Sequence, residues 1–262
     1  MSIDAQQIVE AIGQGVAAAL RTNQFFLGLE EGAFKNADIH PEYVTTVEVG
    51  RALSHVDRIV SLETHMKQLR KGAYAHALLL NKAMRPTIDA KLARYTFGKK
   101  DSQRLDILVR SSDGRALPLL VAEAKLGVDN LTDVIKDIGR IIKLFDMYND
   151  LDLLKSSFLY GAVVFHSLEE GNADGTPNQK AINLVKGIRA YLDGITQTRP
   201  WLNARADLLS HGAKVQEVVG YRETYMDGYE EDVFAKDSFT FAPGLVLLGN
   251  NSDVETAFDA KQ

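Results

Sequence analysis

The sequence predicts an α/β fold, in which a mixed sheet built from an antiparallel hairpin and a parallel crossover strand is flanked by helices. Three observations carry this expectation. Residues 104–125 contain two apolar runs, 105–109 and 117–122, around Ser111-Ser112-Asp113-Gly114, a turn composition between two strand compositions. Residues 129–148 then place Leu131, Val134, Ile135, Ile138, Ile141, Ile142 and Phe145 at helical spacing. Residues 157–166 form a continuous apolar run, suited to a strand buried on both faces. Strand, helix and strand in that order imply a right-handed crossover to a parallel neighbour.

The remaining elements follow from the same periodicities. Helices are expected near 5–21, 41–60 and 63–84, the last two able to merge, and a strand near 88–97, where Ile88, Ala90 and Leu92 alternate with polar residues. A polar loop spans 169–178 and a helix follows at 178–196. Strands are expected at 215–225 and 239–248 with the acidic stretch 227–232 between them, and the tail after Gly249 reads as loosely ordered. The expected organisation is an N-terminal helical extension at 1–40, a core at 41–212, and a strand-containing extension of the same domain at 213–262.

Composition excludes several chemistries. The chain has no cysteine, so disulfides, thiolate zinc sites and cysteine nucleophiles are ruled out. None of the six histidines forms a His-x-x-x-His pair, and no P-loop or Gly-x-Ser-x-Gly elbow occurs. Gly13-Gln14-Gly15 followed by Ala18 loosely matches a dinucleotide fingerprint, but it sits inside a helical pattern with no strand before it. His166, at a strand end, reads as a core histidine. No apolar run approaches membrane-spanning length and the N-terminus lacks signal-peptide character, so a cytoplasmic setting and no membrane partner are expected.

The hairpin also carries the chemistry. Asp106 opens its first strand, and Glu123-Ala124-Lys125 closes its second. A period of two puts Glu123 and Lys125 on one face, and folding about Asp113-Gly114 sets Asp106 opposite Glu123, give or take a bulge. Two carboxylates and an ammonium then converge at one sheet end, where they can hold a hard divalent cation and polarise a water beside it. Asp89-Ala90-Lys91 and Asp259-Ala260-Lys261 repeat the acid-x-Lys spacing, but neither ends a long apolar run after a strand with its own acid. In the upstream helix, Glu42 lines up with Val49, Leu53, Val56 and Val60, an anomalous place for an acid unless it meets a partner inside; Glu48 points away from that line.

Charge is distributed unevenly. The total is −5, yet between Lys67 and Arg104 ten basic residues face only Asp89 and Asp101, a segment of net +8 that leaves −13 for the rest. Phosphate binding depends on local charge, so a nucleic-acid partner is expected, contacted by Lys91, Arg94, Lys99, Lys100 and Arg104 together with Lys136 and Arg140 from the helix after the hairpin.

This constellation resembles the PD-(D/E)XK nuclease superfamily, the restriction-endonuclease-like fold. Its hallmark is an acid at the start of one strand, (D/E)-x-K at the end of the next, and often a glutamate on an upstream helix. The resemblance spans roughly 41–165 in order of elements. Leu105 stands where many members have proline, and the helix after the triplet lacks Gln-x-x-x-Tyr, which disfavours the RecB-like branch; Lys136, Asp137 and Arg140 stand there instead. The resemblance implies a three-layer core and a Mg²⁺-dependent deoxyribonuclease, with Mn²⁺ able to substitute, acting on double-stranded DNA in restriction or defence. Asp106, Glu123, the Ala124 carbonyl and Glu42 would hold the metal, while Lys125 would orient or deprotonate the attacking water and stabilise the developing charge. Cutting both strands takes two active sites, which makes a homodimer an expected assembly. The alternative is a nucleic-acid-binding or protein-interaction module on the same fold, since the superfamily includes members without catalysis.

Overall fold

A computed structural model describes residues 3–27, 41–55, 57–112, 117–125, 130–155, 159–170, 179–209, 213–224 and 230–259. Its elements are α1 (Ala5–Leu27), α2 (Pro41–Leu53), β1 (Arg58–His65), α3 (Met66–Leu80), α4 (Arg85–Ala93), β2 (Arg104–Ser111), β3 (Pro118–Lys125), α5 (Leu131–Asp150), β4 (Tyr160–Glu170), α6 (Gln179–Gln197), β5 (Asn203–Leu208), β6 (Ala213–Thr224) and β7 (Glu230–Gly249). One mixed sheet runs in the order β1-β2-β3-β4-β7-β5, with β6 also pairing β7. The β3–β4 pair is parallel and the others are antiparallel. The expected hairpin, crossover helix and parallel strand are all present.

Helices cover both faces, giving three layers. On one side α1 and α2 enclose Ile107, Val109, Leu120, Ala122, Val164 and Leu247. On the other, α3 to α6 pack over Leu108, Val121, Val163 and Val246. Alternate residues of each strand thus go to opposite cores, as the period of two requires. Two glycines mark close approaches. A Cβ at Gly15 would lie 2.5 Å from the Val49 Cα, so the Gly13-Gln14-Gly15 stretch serves helix contact between α1 and α2. At Gly161 a Cβ would meet Ile141 at 2.4 Å, so its absence lets α5 settle onto β4.

The structure corrects several expectations. The helix expected over 41–60 ends at Leu53, and the chain turns into the edge strand β1. The helix expected at 63–84 starts only at Met66. The strand expected at 88–97 is largely helix α4, opened by Pro86 in its first turn; Ile88 and Leu92, four residues apart, are both buried, so their spacing served a helix. Of the acidic stretch expected to separate two strands, residues 230–232 belong to β7, which starts at Glu230, and residues 227–229 lie outside the described residues. The tail after Gly249 is tied down rather than loose. Val254 and Phe258 are buried, and Asp253 accepts the Ala5 N–H at 3.0 Å and the Tyr160 hydroxyl at 2.7 Å.

The segments read as extensions contribute to this same sheet. α1 forms part of one helical layer, and β7 sits between β4 and β5. Beyond the end of β3, β4 continues along β7 to the Glu170–Phe239 pair, and β6 and β7 pair further to Thr224–Glu230. The β6–β7 ribbon therefore extends past the sheet end at which Glu123 and Lys125 lie.

Candidate active site

Ladder pairing between β2 and β3 runs from Arg110–Pro118 to Ile107–Ala122, with a register shift between Val109 and Arg110. That irregularity is the bulge the sequence allowed, and continuing the register past Ile107–Ala122 brings Asp106 opposite Glu123. A side chain then takes over from the backbone: the Asp106 carboxylate accepts the Ala124 N–H at 2.8 Å. Both acids project towards α5, on the face shared by Leu108 and Val121. The Asp106 charge bears directly on Glu123 and, after burial, is the largest influence raising its carboxyl.

Four further side chains complete the cluster: Arg140, Asp137, Lys125 and Glu42. Arg140 on α5 donates to Glu123 Oε1 at 2.6 Å, to Asp137 Oδ1 at 2.8 Å and to the Arg104 carbonyl at 3.2 Å. Lys125 Nζ lies 3.6 Å from Glu42 Oε1 and 3.8 Å from Asp137 Oδ2. Glu42, in the first turn of α2, therefore reaches the site, as its alignment with Val49 and Leu53 required. Glu48 turns instead to Thr22 and Arg51.

Asp137 is the residue that sequence reasoning missed. Its polar neighbours Asp133, Lys136 and Arg140 mark that side of the helix as solvent-facing, yet Asp137 is 2% exposed. The signal was present: Val134, Asp137, Ile138 and Ile141 follow the i, i+3, i+4, i+7 spacing of a buried stripe. Its Oδ2 is buried and lacks a hydrogen-bond donor among the described residues. A second residue of note is Glu63, opposite Asp106 in the β1–β2 register. It has a φ of 52°, uncommon for a residue with a Cβ, and its side chain pairs with Arg104 at 3.7 Å.

Crowding shifts the protonation equilibria. Burial first, then the Asp106 and Asp137 charges, pushes the Glu123 carboxyl up to about 9 against the opposing pull of Arg140. Asp137 is also raised, chiefly by burial, which outweighs Arg140 and Lys125. For Lys125 burial acts downward, but Asp137, Glu42, Asp106 and Glu123 together hold its ammonium above the ordinary lysine range. Without a metal ion Lys125 is thus favoured in its cationic form, suited to orienting water and offsetting negative charge. His166, one residue beyond the Lys125–Phe165 pair, is buried and pushed down to about 3, so it is neutral.

The donor set suits a hard divalent ion: carboxylate oxygens from Asp106, Glu123 and Asp137, of which the buried Asp137 Oδ2 lacks a hydrogen-bond donor among the described residues. Among the described residues no three acidic or histidine side chains already converge at metal distance. The contacts give the reason, because Asp106 is turned onto the Ala124 amide and Glu123 onto Arg140.

The basic segment is less open than its composition implied. Arg70 pairs with Asp101 at 2.6 Å, Arg85 with Asp89, Lys91 with Asp152, Arg94 with Asp150 at 2.9 Å, and Arg104 with Glu63. Lys91 and Arg94 engage the C-terminal end of α5, about 20 Å along the helix from Asp137. Lys99 is exposed, and Arg104 stays about half exposed beside the site. Lys136 pairs with Asp133 on the outer face of α5, and the Lys100 side chain lies outside the described residues. Arg140, expected on nucleic acid, is part of the acidic cluster itself. None of the described helices is long and apolar enough to cross a membrane. Comparison of the chain with protein-family models, with curated proteins and with solved structures finds no match.

Proposed function

We propose that this protein is a metal-dependent nuclease of the PD-(D/E)XK type, hydrolysing phosphodiester bonds in double-stranded DNA as an endonuclease of restriction or defence. The observation that carries the reading is the cluster at the sheet end, where Asp106 on β2 accepts the Ala124 amide at 2.8 Å between Glu123 and Lys125, and Lys125 lies 3.6 Å from Glu42 and 3.8 Å from Asp137. Asp106, Glu123 and the Ala124 carbonyl would hold Mg²⁺ or Mn²⁺, with Glu42 contributing from α2. When bound, the ion supplies Lewis acidity and a water of lowered pKa. Lys125 orients the attacking water and offsets the charge that develops on the phosphorus oxygens. Arg104, about half exposed at this end, binds the phosphate backbone together with the exposed Lys99 of the basic segment.

The test is incubation of purified protein with plasmid, linear duplex and RNA in Mg²⁺, Mn²⁺ or EDTA. Cleavage of DNA with either metal and none in EDTA is expected; absence of cleavage with every substrate and metal defeats the reading. A second reading is a module that binds nucleic acid without cutting it. The Arg140–Glu123 contact favours it, because a guanidinium already occupies the central carboxyl at 2.6 Å. Binding of duplex that persists without cleavage in either metal selects that reading.

A further inference from the structure

Arg140 has three partners at the site, and they differ in kind. Asp137 lies on the same helix three residues earlier, so that contact travels with Arg140. The Arg104 carbonyl and Glu123 belong to the sheet. The contact with Glu123 ties up the carboxylate on which the proposed metal site depends. A divalent ion on Glu123 and a guanidinium 2.6 Å from the same carboxylate repel each other. A phosphodiester offers the guanidinium an alternative anion of matching fork geometry. Arg140 is about one-quarter exposed, so a backbone phosphate can approach it from solvent.

We propose that Arg140 is a latch that couples metal binding to nucleic-acid binding. In the substrate-free protein it holds Glu123; when DNA enters, Arg140 transfers to a backbone phosphate and Glu123 is released to the metal. The idea rests on the nuclease reading above and adds its order of assembly: metal is held weakly until substrate is present. Coupling of this kind is reciprocal, so metal must tighten DNA binding by the same factor as DNA tightens metal binding. Asp137 sets the position of Arg140 during the exchange, because its Oδ1 holds the guanidinium while its Oδ2 faces Lys125.

The experiment is a Mn²⁺ titration followed by electron paramagnetic resonance, with and without a cleavage-resistant phosphorothioate duplex, with the background of duplex alone subtracted. The wild-type protein, Arg140→Met and Arg140→Lys are compared, with thermal melting to establish that each is folded. Duplex is expected to tighten Mn²⁺ binding to the wild type by about tenfold or more. Arg140→Met should bind Mn²⁺ about tenfold more tightly than wild type without DNA, and lose most of the coupling. Arg140→Lys keeps a cation beside Glu123 and should stay close to wild type. The proposal is overturned if duplex leaves wild-type Mn²⁺ affinity within about twofold, or tightens it equally in Arg140→Met. The wild-type arms decide the matter even if Arg140→Met fails to fold. A wild type that cleaves DNA without coupling defeats the latch alone, whereas a wild type that cleaves nothing defeats the nuclease reading.

Discussion

Helix α5 carries two charge clusters, and they are built on opposite rules. At its C-terminal half, Asp146 accepts two hydrogen bonds from one edge of the Arg199 guanidinium, from Nε at 2.8 Å and Nη2 at 2.9 Å, and Asp150 accepts Arg94 and the Tyr95 hydroxyl. Cations match anions there, and burial together with Asp150 keeps the Tyr95 hydroxyl protonated far above its ordinary range. At its N-terminal half, Asp137 joins Asp106, Glu123 and Glu42 around one lysine and one arginine, with Asp137 Oδ2 lacking a hydrogen-bond donor and Glu123 pushed towards its neutral form. Buried charge that serves only the fold is paired; a cluster left under-compensated is a candidate for work on a ligand. The predictions below set the two ends of α5 against each other.

The largest expected effect is on activity. Lys125→Ala removes the ammonium that faces Glu42 and Asp137 at this sheet end, and cleavage should fall by about 10³-fold or more. Asp106→Ala removes a carboxylate central to the proposed metal site and should abolish cleavage as well. Circular dichroism should show both variants folded, since neither side chain is part of the apolar core. Cleavage at the wild-type rate by either folded variant would falsify the assignment of this end as catalytic. Arg199→Ala, at the other end, should leave cleavage intact.

Stability should respond in the opposite sense. Asp146→Asn keeps the shape of the side chain but loses its charge against Arg199, at a cost of about 1–2 kcal/mol for a pair that is about one-quarter exposed. In a domain of this size that lowers Tm by about 3–6 °C. Asp137→Asn removes a buried charge from among like charges, so the metal-free protein should melt at or above the wild-type temperature, while cleavage declines. Differential scanning calorimetry in EDTA reads both. If Asp137→Asn costs as much as Asp146→Asn, Asp137 is one more structural ion-pair partner.

A third contrast lies in pH. The Glu123 carboxyl ionises near 4.5 in an unfolded chain and near 9 in the folded one, so between these values the folded state binds the extra proton. Stability contributed by Glu123 is therefore lost as pH rises through that window. Asp101 behaves oppositely. Burial acts to raise it, but the Phe97 amide and Arg70 prevail and hold it below its ordinary value. Its contribution is present above the unfolded-state pKa and disappears only in acid. The metal-free protein should thus lose Tm from pH 5 towards 9 on account of Glu123, and Glu123→Gln should flatten that slope. An unchanged slope in Glu123→Gln places the titration elsewhere.

How much of this was legible depends on whether one periodicity acted alone. The hairpin and the β3–α5–β4 crossover were readable because apolar runs and turn residues agreed, and the bulge shifted the register by the single step that faces Asp106 with Glu123. The edge strand β1 was hidden because Val56 and Val60 continue the helical phase of Val49 and Leu53 by chance, while an edge strand carries too many polar residues to show a clean alternation. α4 was mistaken for a strand because Ile88, Ala90 and Leu92 satisfy both periods, and Pro86 was the deciding signal. At the site, Asp106, Glu123, Lys125 and Glu42 were legible from phase. Asp137 was obscured by its polar neighbours Asp133, Lys136 and Arg140, although its own phase was apolar. The pairing of the basic segment could not be read at all, since Asp150, Asp152 and Glu63 reach it from distant parts of the chain.

The smallest expected effect separates the two glutamates of α2. Glu42 faces Lys125 at 3.6 Å across a gap about one-third exposed, so its ion pair contributes only about 0.5 kcal/mol. Glu42→Gln should consequently shift Tm by no more than about 1–2 °C. Its effect on cleavage should be larger than that, because a neutral amide leaves Lys125 less restrained and removes one oxygen ligand available to the proposed metal. Glu48→Gln loses a weak contact with Thr22 and a 4.0 Å pair with the exposed Arg51, both remote from β3, and should change neither quantity. Initial cleavage rates for the two variants, measured side by side in Mg²⁺, give the answer. Loss of cleavage in Glu48→Gln with full activity in Glu42→Gln would transfer the role of third acid to Glu48 and require α2 to sit rotated about its axis from the arrangement described above.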